Sequence, residues 1–135
     1  MKLMIYLGIL LSVIITVAQG KTNTSHSADW KEELLHVFQS GSSRDLARYF
    51  DQGITINING NQGDYSKNQA ELVMRDFFRK FPPVDFQLLH EGNNQEQMIY
   101  YIGIYKSEDV AFRVFIRGKK DNGQVKFYSI DIVKS

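Results

Sequence analysis

The hydrophobic positions at the start of the folded chain recur at helical intervals. The apolar residues of 28–39 fall largely on one face, which predicts an amphipathic helix. Ser42 or Ser43 is a suitable cap for a second, short helix that runs as far as Gly53. Phe50 then lies on the apolar face of this second helix. The pattern therefore predicts that the folded chain begins with two helices.

Residues 66–81 carry the clearest helical pattern of the sequence. Ser66 and Gln69 have the spacing of a capping box, in which each side chain accepts a hydrogen bond from the other residue's backbone. Pro82-Pro83 ends the helix, because proline disfavours helical geometry at the preceding residue. The apolar positions form one stripe, which consists of Ala70, Val73, Met74, Phe77, Phe78 and Phe81.

Strict alternation of hydrophobic and polar residues predicts strands elsewhere. Isoleucines alternate with polar residues in 54–58, and a Gly- and Asn-rich turn follows at 60–63. Four further strands are predicted at about 84–91, 98–106, 110–118 and 124–133. Short connections between these four strands indicate antiparallel pairing. The element order α-α-β-(β)-α-β-β-β-β, with a short second strand, predicts an α+β fold.

The first twenty residues have the pattern of a secretory signal peptide. Lys2 precedes an apolar run of about 15 residues, and small residues at Thr16 and Ala18 suit cleavage before Gln19 or Lys21. An uncleaved anchor is the alternative, but the run is shorter than the roughly 20 residues that span a bilayer. We therefore predict a signal peptide at 1–20, a flexible tether at 21–27 and one domain at 28–135. The processed protein is expected in the periplasm or outside the cell, without a stable membrane anchor.

Composition narrows the chemistry further. The chain has 135 residues, 13% aromatic residues, no cysteine and a formal net charge of +1. The absence of cysteine excludes disulfides, thiol catalysis and a lipoprotein anchor. The near-zero charge argues against a nucleic-acid partner. The three histidines are far apart in sequence and no helical metal motif is present, so we expect neither a metal nor a cofactor.

Several motifs together resemble a known family. They are Tyr65-Ser66-Lys67-Asn68-Gln69-Ala70-Glu71, Asp76-Phe77-Phe78, Pro82-Pro83, Phe86, His90, Gly92, Tyr101-Ile102-Gly103 and Phe112-Arg113-Val114-Phe115-Ile116. In order and spacing they are similar to the signature of a small secreted bacterial family of unknown function. The resemblance covers residues 30–133 and the signal peptide.

That family is placed in the nuclear-transport-factor-2-like (cystatin-like) superfamily. The resemblance implies a curved antiparallel sheet wrapped around three helices to make a cone. The superfamily includes isomerases, dehydratases, ligand binders and dimerisation modules, so the fold does not select a function. The resemblance supplies no catalytic motif that transfers to residues of this chain.

His90 is the sharpest catalytic candidate. Regular alternation places it in phase with Phe86 and Leu88, toward the cone interior, where a histidine could serve as a general acid or base. The alternative is a half-exposed histidine at a strand end, since a lone titratable group makes a weak site. Asp51, at the end of the second helix, either approaches the cone mouth or is a solvated helix-end residue.

The opposite face of the sheet carries a second group of candidates. If Phe112, Val114 and Ile116 face the core, charged and aromatic residues face away from it. Cross-strand Arg–Asp pairing there is either ordinary sheet stabilisation or part of an anion site or interface. Superfamily relatives dimerise through this face, so the resemblance implies a homodimer; a monomer with scattered aromatics is the alternative. The candidate dimer-face residues are Arg113, Phe115, Arg117, Phe127 and Asp131, with Tyr101 and Tyr105 as further members.

A third set of residues is suited to line a pocket. Its members are Tyr49, Phe78, His90 and Tyr100, although aromatic residues at these spacings also suit a plain core. The sequence thus favours a secreted, non-catalytic binding or assembly module. The alternatives are a protein that binds a small apolar ligand in the cone interior, and an isomerase or dehydratase centred on His90.

Overall fold

The structure, a computed structural model, describes residues 26–94 and 97–135, and it describes side chains from residue 31 onward. The predicted signal peptide and residues 21–25 of the predicted tether lie outside this part of the chain. Three helices and six strands are described: α1 (His26–Ser40), α2 (Ser43–Ala47), β1 (Phe50–Ile58), β2 (Asn61–Ser66), α3 (Lys67–Lys80), β3 (Asp85–Asn93), β4 (Met98–Lys106), β5 (Ala111–Asp121) and β6 (Gln124–Lys134). The predicted element order and α+β class are confirmed.

The six strands form one curved sheet in the order β2-β1-β6-β5-β4-β3. All neighbouring strands are antiparallel except β1 and β6, which are parallel. The predicted all-antiparallel sheet is therefore wrong for this one pair. The rule of short connections does not apply to it, because α3 and four strands separate β1 from β6 along the chain.

The second helix is shorter than predicted. The Ser42 hydroxyl caps it by accepting a hydrogen bond from the backbone N–H of Asp45, and the helix ends at Ala47. Phe50 belongs to β1 rather than to a helix, and Gly53 lies within that strand. The physical reason is tertiary: the chain enters the sheet at this point, where Phe50 pairs with Phe127 of β6.

The capping box of the third helix is present as predicted. The Ser66 hydroxyl accepts a hydrogen bond from the Gln69 N–H at 3.3 Å, and the Gln69 side-chain oxygen accepts one from the Ser66 N–H at 3.2 Å. This arrangement satisfies two backbone donors at the point where β2 becomes α3. The apolar stripe of α3 is then directed at the sheet, and Ala70, Met74, Phe77 and Phe78 are buried.

Aromatic rings fill the space between the helices and the sheet. Phe38 of α1 stacks on Phe86 of β3 with ring centroids 4.5 Å apart. Phe77 of α3 meets Phe112 of β5 edge-on at 5.2 Å. The Tyr105 hydroxyl donates a 2.5 Å hydrogen bond to the carbonyl oxygen of Phe81. This hydrogen bond satisfies the hydroxyl group of a fully buried ring. The ring contacts show that side chains fill the centre of the cone.

Candidate functional site

Two β-bulges decide which side chains face the helices and which face away. Along β4, odd-numbered residues 99–105 are buried against the helices, on what we call the inner face. Even-numbered residues of β4 lie on the opposite, outer face. The register shifts in β3 before His90, and again in β6 opposite Arg117. Beyond such a shift, the following residues of the strand exchange faces.

The prediction that His90 faces the cone interior is wrong. Leu88 pairs with Gly103, and His90 pairs with the next residue of β4, Ile102, so that Leu89 is an extra residue in the ladder. An extra residue reverses the alternation that the sequence pattern assumed. His90 consequently shares the outer face with Ile102, where it is exposed to solvent.

On the outer face His90 belongs to a row of rings. Its Nε2 atom lies 3.0 Å from the hydroxyl oxygen of Tyr100, and the two ring centroids are 5.6 Å apart. The Tyr100 ring in turn meets Phe115 edge-on at 6.2 Å. A general acid or base acts on a substrate held beside it. Here His90 has Tyr100 as a hydrogen-bond partner and lies outside the cone interior.

The second bulge moves Phe127 to the inner face. Arg117 pairs with Ser129 and Gly118 pairs with Phe127, which leaves Tyr128 as the extra residue. Phe127 is 0% exposed. The prediction that Phe127 belongs to an outer dimer face is therefore wrong, because the bulge reverses alternation between Phe127 and Ser129.

The prediction that Tyr101 and Tyr105 lie on the outer face is also wrong. Both residues are odd-numbered members of β4 and are buried on the inner face. The Tyr101 ring packs against Phe127 with centroids 6.2 Å apart. Burial raises the pKa of both tyrosine hydroxyls, and Glu91 raises that of Tyr101 further. Both therefore remain neutral at physiological pH.

Arg117 is the centre of a polar cluster on the outer face. Its Nη2 atom donates a 3.0 Å hydrogen bond to the Ser129 hydroxyl and lies 3.5 Å from a carboxylate oxygen of Asp131. Its guanidinium carbon lies 5.5 Å from the centre of the Phe115 ring. Arg113 is exposed four residues earlier on the same strand. The Arg–Asp pair joins β5 to β6, so it stabilises the sheet whether or not a partner covers it.

Four half-buried side chains form a continuous apolar strip in the middle of this face. The strip, called the outer strip below, consists of Tyr100, Ile102, Ile104 and Phe115. Ile102 lies directly opposite Phe115, and Tyr100 lies opposite Arg117. The contacts of α1 and α3 with the sheet are made from the inner side, so these helices do not cover the strip.

The four predicted pocket residues do not come together. Phe78 is 6% exposed and packs in the core, 5.8 Å from the ring of Phe38. Tyr49 is half-buried against Phe127 on the inner side, and burial together with a hydrogen bond to Glu33 raises the pKa of its hydroxyl. His90 and Tyr100 lie on the outer face. The predicted pocket is thus divided between two sides of the sheet.

Asp51 lies in β1 and not at a helix end. Its carboxylate is 3.0 Å from the Lys119 ammonium of β5. A hydrogen bond from Lys119 holds the pKa of Asp51 below its usual range, and the same bond raises the pKa of Lys119. No sequence signal links these residues, which are 68 positions apart, because only the β1–β6–β5 order brings them together.

A cavity of about 340 Å³ opens at the mouth of the cone, between α1 and the adjacent ends of β3, β4 and β5. We call it the mouth cavity; the described residues that line it are Lys31, Glu91, Gly92, Asn93, Ile99, Tyr101 and Lys120. Lys31 of α1 forms an ion pair with Glu91 of β3. Sequence reasoning missed this site because the β3 bulge, which turns Glu91 inward and His90 outward, has no signature in the hydrophobic pattern.

The described residues contain neither a group suited to bind a metal ion nor a helix suited to cross a membrane. Within 26–94 and 97–135, no three carboxylate or imidazole side chains are grouped closely enough to bind a metal ion. No helix in the same two ranges has the length and apolar character needed to cross a membrane.

Solved structures similar to this chain share its fold. A DUF4783 family protein from Bacteroides uniformis ATCC 8492 is 25% identical, with a TM-score of 0.72 over 77% of this chain and 95% of that chain. Its counterpart from Bacteroides ovatus ATCC 8483 is 27% identical, with a TM-score of 0.72 over 76% and 92%. An NTF-2 like protein of unknown function from Silicibacter pomeroyi DSS-3 is 12% identical, with a TM-score of 0.57 over 81% and 92%.

These likenesses confirm the predicted cone fold of the nuclear-transport-factor-2-like superfamily. No curated protein matches the chain. The family described as "Domain of unknown function (DUF4783)" matches residues 31–133, most of the chain. The chain therefore belongs to the DUF4783 family, a family of unknown function with the nuclear-transport-factor-2-like fold.

Proposed function

We propose that this protein is an exported, non-catalytic assembly module that pairs with a second copy of itself through the outer face of its sheet. The observation that carries the proposal is the outer strip. Its four half-buried apolar residues lie side by side on two neighbouring strands inside the sheet, β4 and β5. A contiguous apolar strip with polar neighbours is typical of a surface that another molecule covers.

The charges around the strip favour a second copy as the partner. Arg113 and Arg117 on β5 are positive, while Asp131 on the neighbouring β6 is negative. In a two-fold symmetric pair, each surface meets an identical surface, so a patch that carries both signs is complementary to itself. A face made only of cations would repel its own copy.

The size of the face is also adequate. The six strands have five spacings of about 4.8 Å between them and are about 30 Å long, which gives a face of roughly 700 Å². A standard interface buries roughly 800 Å² per partner. Pairing that uses most of this face therefore reaches the size of a specific interface, and we expect a dissociation constant in the micromolar range.

The alternatives receive less support. An isomerase or dehydratase centred on His90 needs this residue inside the cone, and it lies outside. A small apolar ligand inside the cone needs space that is taken by the rings of Phe38, Phe77 and Phe112. Export is supported by the charged, apolar and small-residue segments of positions 1–20.

Sedimentation velocity over roughly 1–200 µM tests the pairing, because a micromolar dimer changes its population across that range. We expect the wild-type protein to shift from monomer to dimer. Phe115→Glu places a carboxylate in the strip twice per dimer; at about 2 kcal/mol each it weakens pairing by about 4 kcal/mol, or roughly a thousandfold. This variant should remain monomeric and keep the wild-type circular dichroism spectrum.

Leu72→Glu is the matched control, since Leu72 is an exposed leucine on α3, away from the sheet face. It should dimerise like the wild type. A wild-type protein that stays monomeric at the highest concentration, or a Leu72→Glu variant that dissociates as much as Phe115→Glu, contradicts the proposal.

Export is tested independently by fractionating cells that express the full sequence. We expect the protein outside the cytoplasm, with an N-terminus at Gln19 or Lys21 by Edman sequencing. An intact Met1 on the exported or membrane-bound protein would show that the segment is not cleaved.

A further inference from the structure

Within the described part of the chain, the mouth cavity has one cation without a carboxylate partner. Lys31 and Glu91 form an ion pair with each other. Lys120 also lines the cavity and is half-buried, but no carboxylate within the described residues pairs with it. Its neighbour Lys119 differs in this respect, because it lies on the outer face and pairs with Asp51. The cavity therefore carries a net charge of about +1 from these three groups.

The floor of the mouth cavity is partly apolar. Ile99 and Tyr101 are two residues apart on the inner face of β4, and each is 3% exposed. Burial raises the pKa of the Tyr101 hydroxyl, so the ring beneath the cavity carries no charge that would repel an anion. A partly apolar floor beside one cation is a combination that suits an amphiphilic ligand.

We propose that the mouth cavity binds a small monocarboxylate, with its carboxylate at the Lys120 ammonium and its apolar body over Ile99 and Tyr101. A cavity of about 340 Å³ holds on the order of ten non-hydrogen atoms at roughly 30 Å³ each. The carboxylate of Glu91 lines the same cavity and disfavours a dianion such as a phosphate monoester. A neutral hydrocarbon of the same size would leave the ammonium group desolvated without a partner.

A titration followed by ¹H–¹⁵N correlation spectra tests this proposal on the protein purified from cells that express the full sequence. The probe is hexanoate, and 1-hexanol and hexylamine serve as probes of equal length with neutral and positive heads. We expect saturable shifts with hexanoate at millimolar concentration, centred on the amides of Gly92, Ile99, Tyr101 and Lys120. The shifts with 1-hexanol and hexylamine should be at least tenfold weaker at equal concentration.

Lys120→Gln removes the cation and keeps a polar side chain that is one atom shorter, so hexanoate affinity should fall at least tenfold. Lys119→Gln is the matched control, because it makes the same change one residue earlier on the opposite face of β5, and it should bind like the wild type. The proposal is overturned by any of three results. They are hexanoate shifts that do not saturate or lie elsewhere, equal binding of 1-hexanol, and equal losses in the two lysine variants.

Discussion

Replacing Phe38 by alanine tests whether the cone is filled. Phe38 is 0% exposed at the centre of the aromatic interior. Its ring stacks on Phe86 at 4.5 Å and meets Phe78 and Tyr105 edge-on at 5.8 and 6.4 Å. The substitution removes all three ring contacts at once and leaves the surrounding side chains in place.

The expected loss is large. A buried Phe→Ala substitution costs about 3–5 kcal/mol, which includes the cavity that is left behind. The free energy of unfolding of a domain is typically about 5–15 kcal/mol, so the variant should fold but be markedly weakened. At roughly 4 °C for each kcal/mol in a domain of this size, the midpoint of thermal unfolding should fall by about 12–20 °C.

Urea unfolding measures the free energy directly, and a second measurement identifies the cause. An apolar cavity inside a core stays dry and accepts a small hydrocarbon. Benzene should therefore raise the unfolding midpoint of Phe38→Ala while leaving the wild type unchanged. Leu72→Ala is the control for a leucine that is 56% exposed; its free energy of unfolding should change by less than about 0.5 kcal/mol.

Two outcomes would refute this reasoning. A loss below about 1 kcal/mol in Phe38→Ala would show that its ring is not confined by the three neighbouring rings. Equal stabilisation of the wild type by benzene would show that the interior is already hollow, which would restore the apolar-ligand alternative. In that case, the space around Phe38 would be the place to search for the ligand.

Two further substitutions test contacts that only the tertiary structure shows. Asp51→Asn removes the partner of Lys119. The pKa of Asp51 is lowered in the folded protein. The ion pair therefore stabilises the fold above the unfolded pKa of about 3.9, and this stabilisation is lost as pH falls through the folded pKa. The variant should unfold at a lower temperature than the wild type between pH 5 and 8, and this difference in temperature should shrink as pH falls below about 4. A difference that stays constant as the pH is lowered from 5 to about 2 contradicts the ion-pair origin. At Gly103, a methyl group would lie 2.6 Å from the Phe86 ring and 2.9 Å from the Gln87 carbonyl oxygen. Gly103→Ala should therefore lower the free energy of unfolding in urea by about 1–3 kcal/mol through overpacking. Gly53→Ala is the control, because its methyl group would meet no atom within 4 Å, and it should lower this free energy by less than about 1 kcal/mol.

The sequence could predict those features that depend on local pattern. The apolar stripe of α3 and the Ser66–Gln69 capping box need only neighbouring residues, and both are present. The last four strands have short connections, so their antiparallel pairing followed as well. The parallel pairing of β1 with β6 joins the two ends of the domain, and no local pattern contains that information.

The candidate site was predicted less well because the face of the sheet on which a side chain lies was assigned from the regular two-residue alternation of a strand. Leu89 and Tyr128 each add one residue to a strand, and each is chemically ordinary for a strand. Unbroken alternation across Leu89 placed His90 on the inner face, whereas it lies on the outer face. Unbroken alternation along β6 placed Phe127 on the outer face, whereas it is buried on the inner face. Apolar residues occupy both faces of β4 and β5, so hydrophobicity could not correct the count.

The same alternation makes the two proposed binding surfaces separable. On three consecutive strands, adjacent residues divide between them: His90 and Glu91, Tyr100 and Tyr101, and Lys119 and Lys120. The first member of each pair faces the outer side and the second lines the mouth cavity. Because no side chain belongs to both surfaces, Phe115→Glu removes pairing without removing a contact from the mouth cavity. Lys120→Gln likewise removes no contact from the outer strip, so failure of either proposal leaves the evidence for the other unchanged.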